Sequence, residues 1–446
     1  MAGRVDVGLA SLGDFGGMVG QVDFREGQPL DIPGMITSFT HIDTRETGAL
    51  IQFTRVMTKC IRRSTWPRPL FAFSLCSLSL TAVASDIGGV LQPFVDRHEL
   101  AGAVTLVASK DKILSVEAVG YSDIANKKRM TTDAVFWIAS MSKPIASTAL
   151  MLLVDEGKVR LDDPVGKYLP AFDPRIMAAS PDETEVLLRK PSHPITVRQL
   201  LDHRSGMKFK SSLESPTLDA FPLELRVKSY ALEPLMSEPG AEFSYSNAGI
   251  NTAAHIIEVV SGMPYEEFLQ RRLFDPLGMT DTTFWPTDAQ VARLAKSYKP
   301  NAAGTDLEET SISQLRYPLT DRNDRYPMPA GGLFSTAADL VKFCQMLLNG
   351  GTYSGKHILS ETAIKEMTRW QSGPVDLGYG YTGYGLGFEL KSSGAYGHPG
   401  AYSTNMTIDP VHGLITIWLV QHVGFAGNGG KSEAAFEEAA VDNFAN

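Results

Sequence analysis

The chain predicts an α+β fold: an antiparallel sheet flanked by N- and C-terminal helices, an α/β sandwich interrupted by a mostly helical segment. Three observations predict it. A helix pattern and a strand hairpin open the apolar part of the chain, over 87–119. Two strand patterns and a helix close it, over 402–444. Between them, residues 176–325 carry short helical stretches and no strong strand alternation. The resulting division is an α/β unit from 85–175 and 326–446, with 176–325 as the helical insert.

Composition allows a large core. The 446 residues are 43% hydrophobic, too apolar for a disordered chain. The formal net charge of -9 comes without any basic stripe, which excludes a phosphate-neutralising nucleic-acid surface.

The first 84 residues read differently. Met57 to Arg63 is short and basic, Leu70 to Leu80 is apolar, and Ala82-Val83-Ala84 is an A-x-A site. That order is a secretory signal peptide over 57–84. The apolar run is too short to span a bilayer, which takes about 20 residues. Residues 1–56 then read as a disordered, non-native leader ahead of Met57. The expected location is periplasmic or secreted, with the mature chain beginning near Ser85, or cytoplasmic if the leader is not processed. Cys60 and Cys76 fall within the signal, which leaves Cys344 alone and excludes an intrachain disulfide in the mature part.

The elements follow in order. Ile87 to Glu99 suits a helix interrupted by Pro93. Ala103–Ala108 and Ile113–Val119 are strands joined by a turn at Lys110-Asp111-Lys112. A helix opens at Ser140, is apolar all round from Leu150 to Val154, and stops at Gly157. The insert carries helices over 197–203, 251–261 and 265–273. Ser335-Thr336 caps a helix through Leu347, in which Cys344 is a core thiol. Tyr402–Ile408 and Leu414–Leu419 are strands around Asp409-Pro410, and Ser432–Phe444 is the closing helix.

Chemistry concentrates at three places. Ser140 and Lys143 are three residues apart, so on a helix their Cβ atoms lie roughly 5–6 Å apart and the amine reaches the hydroxyl. A serine hydroxyl needs such a base to act as a nucleophile. A helix start also offers free N–H groups to an oxyanion. Tyr245-Ser246-Asn247 lies in a polar loop before an apolar-faced helix, a place from which side chains can enter a cleft. Gly397-His398-Pro399-Gly400-Ala401 precedes a strand, and its glycines permit close backbone approach. Two other features are set aside. Gly378 to Gly383 spells G-x-G-x-x-G but has neither the preceding strand nor the following helix of a dinucleotide site. His203 beside Leu200-Leu201 reads as a structural hydrogen-bonding residue.

In order and context the three pieces resemble the serine β-lactamase and penicillin-binding superfamily, whose signature is Ser-x-x-Lys, Ser-Asp-Asn and Lys-Thr-Gly. The chain is most similar to the class C β-lactamase-like branch, with Tyr-x-Asn as second motif, and within it to family VIII carboxylesterases. The stretches 137–144, 200–207 and 329–336 support the resemblance, which spans about 88–440. It implies a β-lactamase/transpeptidase-like fold and catalysis without metal or cofactor. Ser140 would be the acylated nucleophile, Lys143 its proton acceptor or relay, and Tyr245 the base and the donor to the leaving group. Asn247 would position Lys143 and the substrate. Gly400 and His398 would line the substrate side, and the N–H groups of Ser140 and Ala401 would form the oxyanion hole.

The departure is His398, where family β-lactamases have lysine. A histidine with an ordinary pKa near 6.5 is mostly neutral at pH 7, so it offers a hydrogen bond more than a charge. The resemblance therefore implies a small-molecule partner, a short-chain ester first, with weak β-lactam turnover. A class C-type β-lactamase, a D-Ala-D-Ala carboxypeptidase or D-aminopeptidase, and a non-catalytic cell-wall-binding protein are the alternatives. No nucleic acid or membrane span is expected, and oligomeric state is not readable.

Overall fold

The computed structural model describes residues 87–173, 176–181 and 186–445. The leader and signal segments lie outside the described residues.

Eight antiparallel strands form the central sheet. They are β1 (Gly102–Ala108), β2 (Ile113–Asp123), β3 (Lys128–Arg129), β4 (Tyr381–Tyr384), β5 (Glu389–Lys391), β6 (Tyr396–Gly400), β7 (Thr404–Asp409) and β8 (Leu414–Leu419). Their order is β4-β5-β6-β7-β8-β1-β2-β3. The β1–β8 seam, with Val104 opposite Leu419 and Ala108 opposite Ile415, joins the first and last thirds of the chain.

Every residue of β1 is buried because both sheet faces are covered. Val104, Leu106 and Ala108 face a core that includes helices α2 (Ser142–Asp155) and α4 (Ala337–Leu348). Ala103 and Val107 face α1 (Ile87–Asp96) and α5 (Ser432–Phe444). On that second face Trp418 stacks on Phe436, with ring centroids 5.8 Å apart. Two-sided burial explains why these strands read as apolar runs rather than alternations.

Most predicted elements appear, with shifted ends. The opening helix stops at Asp96, and His98 enters the left-handed region at φ 56°. The helix foreseen from 251 begins earlier: α3 runs Asn247–Ser261, is capped by the Ser246 side chain, and ends at Gly262 with φ 69°. The strand foreseen from Tyr402 starts at Thr404, because Tyr402 and Ser403 both take positive φ in the turn from β6. The segment 265–273 forms Tyr265–Leu269 and then widens into a π turn, Gln270–Phe274. Residues 176–325 also contain two hairpins, Met177–Pro181 with Val186–Arg189 and Ser297–Pro300 with Leu307–Thr310. Strands of four or five residues carry too little alternation to be read. Strands β3, β4 and β5 do not stand out in the sequence for the same reason, and the stretch from Gly397, read as preceding a strand, itself lies largely in β6.

Candidate active site

Ser140 owes its position to a short ladder. Phe136–Trp137 pairs with Phe334–Ser335, and the Ile138 N–H donates to the Leu333 carbonyl at 3.0 Å. Ala139 then turns the chain with φ 46°, a costly conformation for a residue with a Cβ. A 3-10 turn, Ala139–Met141, precedes α2, so Ser140 stands just ahead of the α-helix rather than inside it. Side chains three apart eclipse in such a turn. Lys143 Nζ accordingly lies 3.0 Å from Ser140 Oγ.

Lys143 is fully buried, and its Nζ donates to the Ala330 carbonyl at 2.8 Å. The amine also sits over the Tyr245 ring, 4.6 Å from its centroid. Burial lowers its pKa to about 7, against the opposing pull of Glu389. Near neutrality one N–H can stay on Ala330 while the free lone pair faces the Ser140 hydroxyl. Ala330 is itself held: its N–H donates to Asn251 Oδ1 at 3.1 Å, and Asn251 Nδ2 donates to Tyr230 Oη at 3.0 Å.

Tyr245 precedes the cap of α3, which fixes its approach. Ser246 Oγ accepts from the Gly249 N–H at 3.2 Å and donates to the Lys208 carbonyl at 2.8 Å. Desolvation, reinforced by Glu389, holds the Tyr245 phenol well above its usual range, and a hydrogen bond with Ser140 only partly offsets this. Tyr245 is therefore an O–H donor at neutral pH. Asn247 opens α3 and is buried, with its Oδ1 unpartnered. The Lys143 amine is held by the Ala330 carbonyl, and Asn251, one turn further along α3 than Asn247, holds the Ala330 N–H.

His398 lies in β6, 1% exposed. Its Nδ1–H donates to the Pro399 carbonyl at 2.6 Å, and its Nε2 faces the hydroxyls of Tyr384 at 3.1 Å and Tyr245 at 3.5 Å. Burial first, then the Lys143 charge, lowers its pKa to about 3. The third motif thus brings a neutral imidazole into the site. Glu389 Oε1 is 3.8 Å from the same Nε2, while Oε2 is buried without a partner. Burial raises the Glu389 carboxyl to about 8.

Gly400 allows β6 to press against the turn that carries Ser140. A Cβ there would lie 2.3 Å from Thr404 Oγ1 and 2.4 Å from the Ile138 carbonyl. Among the described residues the Ser140 and Ala401 N–H groups meet no backbone acceptor outside their own elements, as an oxyanion hole requires. Sequence reasoning missed Tyr384, Glu389, Ala330 and Asn251. A lone carboxylate between Phe388 and Leu390 was the available signal for Glu389. Gly378 to Gly383 runs into β4 and not into a helix. Cys344 is a buried thiol, its Sγ 3.7 Å from Met406 Sδ.

The Ser140 hydroxyl, the buried Lys143 amine and the Tyr245 and His398 side chains come together where β6 meets the turn at Ala139–Met141. The Beta-lactamase family profile matches residues 88–440.

The chain belongs to the beta-lactamase family.

As a member it is a serine hydrolase of the β-lactamase fold. It is similar to Protein Rv1367c of Mycobacterium tuberculosis, 31% identical over 359 residues, covering 73% of this chain and 87% of that protein. Esterase EstB of Burkholderia gladioli is 27% identical over 404 residues, covering 82% of this chain and 97% of the esterase. Among solved structures, EstCE1, a hydrolase with promiscuous acyltransferase activity, superposes with a TM-score of 0.67 at 26% identity. That match covers 79% of this chain and 97% of EstCE1.

Proposed function

We propose that this beta-lactamase family member cleaves short-chain carboxylic esters through an acyl-Ser140 intermediate. The observation that carries the reading is His398: a buried, neutral imidazole, both of its nitrogens engaged by the protein, stands where family β-lactamases have lysine, so the third motif offers no charge to an anionic substrate. The likeness to EstB and EstCE1 supports the same reading.

The neutral Lys143 amine takes the Ser140 proton as Oγ attacks the ester carbonyl. The oxyanion accepts from the Ser140 and Ala401 N–H groups; one such donor typically contributes about 10²–10³ in rate. Tyr245 gives its proton to the departing alkoxide, and the carbonyl re-forms as the C–O bond breaks. The resulting phenolate recovers a proton from the Lys143 ammonium. Water then attacks the acyl-serine by the reverse assistance, releasing acid and free Ser140.

The test is a panel of short acyl esters, a chromogenic cephalosporin and a D-Ala-D-Ala peptide. Ester turnover should dominate. Lactam or peptide turnover far above it would reject the reading in favour of a β-lactamase or peptidase. Intact-mass detection of a hydrolysable adduct, absent in Ser140→Ala, separates catalysis from mere binding. The signal-like segment 57–84 supports action outside the cytoplasm, and sequencing the N-terminus of the exported protein checks this.

A further inference from the structure

Four hydrogen bonds join the second motif to the third. The Ser246 N–H donates to His203 Nδ1 at 3.2 Å. His203 Nε2 and Tyr384 Oη are 3.0 Å apart, and Tyr384 Oη and His398 Nε2 are 3.1 Å apart. His398 Nδ1 meets the Pro399 carbonyl at 2.6 Å. Both ends are backbone groups with no choice of role: an N–H only donates and a C=O only accepts. With neutral imidazoles this sets every direction between them. His203 carries its proton on Nε2 and donates it to Tyr384. Tyr384 donates its own O–H to His398 Nε2. His398 carries its proton on Nδ1.

All three side chains are buried, so water does not scramble the order. A proton added to His398 Nε2 would face the Tyr384 hydroxyl proton, and one added to His203 Nδ1 would face the Ser246 N–H. Lys143, Glu389 and Tyr245 are the other ionisable groups facing His398. The Tyr245 hydroxyl is 3.5 Å from the same His398 Nε2, a lone pair that the nearer Tyr384 already occupies.

We propose that Tyr384 and His203 are positioning residues that occupy the His398 lone pair, and so reserve the Tyr245 proton for the leaving group. The inference rests on the acyl-serine reading above. Without Tyr384, the Tyr245 O–H turns to His398 Nε2 and is no longer aimed at the departing oxygen. The loss should therefore depend on the leaving group. An alkoxide needs that proton; p-nitrophenolate does not.

The experiment compares kcat/KM for ethyl butyrate and p-nitrophenyl butyrate in wild type, Tyr384→Phe and His203→Gln. Tyr384→Phe should lose about tenfold or more on the ethyl ester relative to the nitrophenyl ester, the scale of one hydrogen bond lost in the transition state. His203→Gln keeps a donor toward Tyr384 and should lose less. An equal change on both esters, or no change, overturns the proposal. ¹⁵N-histidine NMR of the wild-type protein at pH 7 reads the chain without substrate. The expected tautomers are Nδ1–H at His398 and Nε2–H at His203. The opposite tautomer at either residue, or an imidazolium at His398, also overturns it. If wild type cleaves neither ester, the ester reading fails and the NMR tautomers alone decide the hydrogen-bond chain.

Discussion

Lys143 Nζ lies 3.0 Å from Ser140 Oγ while donating to the Ala330 carbonyl, so its lone pair is left for the serine proton. Only the neutral amine can act this way. Its pKa is lowered to about 7, so kcat/KM for an ester should rise with pH through that value and then level. A pH–rate profile with p-nitrophenyl butyrate checks this. Lys143→Ala should lose roughly 10³-fold or more at every pH, in line with the loss of a nucleophile's base.

Glu389 keeps its proton through that limb, because burial raises its carboxyl to about 8, so Glu389→Gln should leave the limb near pH 7. It should instead change stability with a definite sign. The native carboxyl, raised to about 8 from 4.5, holds a proton that the unfolded chain has released. Between those values the unfolded state binds fewer protons, and stability falls as pH rises. Thermal melts should show Glu389→Gln gaining on wild type from pH 5 to pH 8.

Gly400→Ala should be costly. The new Cβ would lie 2.4 Å from the Ile138 carbonyl and 2.3 Å from Thr404 Oγ1, so β6 must shift. Overpacking of this kind costs about 1–3 kcal/mol. The shift also moves the Ala401 N–H, so kcat should fall further than KM rises. Urea unfolding and steady-state kinetics together check both parts.

Asn251→Ala should strip the acceptor from the buried Ala330 N–H. Leaving such a donor unpaired costs about 1–3 kcal/mol. Because Ala330 anchors Lys143, acylation should slow although no atom of Asn251 touches the nucleophile. Denaturant melts and single-turnover acylation rates separate the two effects.

By itself the sequence determined what depends on near neighbours along the chain. The Ser140–Lys143 spacing, the Ser246 cap ahead of α3 and the apolar runs of β1 and β8 are local patterns, and their physical reasons are visible in a few residues. The family resemblance extended this to Tyr245, His398 and Ala401. Only the tertiary structure decided how those groups are charged and held. Ala330 reaches Lys143 across 187 positions, and His398 meets Tyr384 from another strand and, through it, His203. Burial of Lys143, Glu389 and His398 comes from packing of elements far apart in the chain, and desolvation has no signature in spacing.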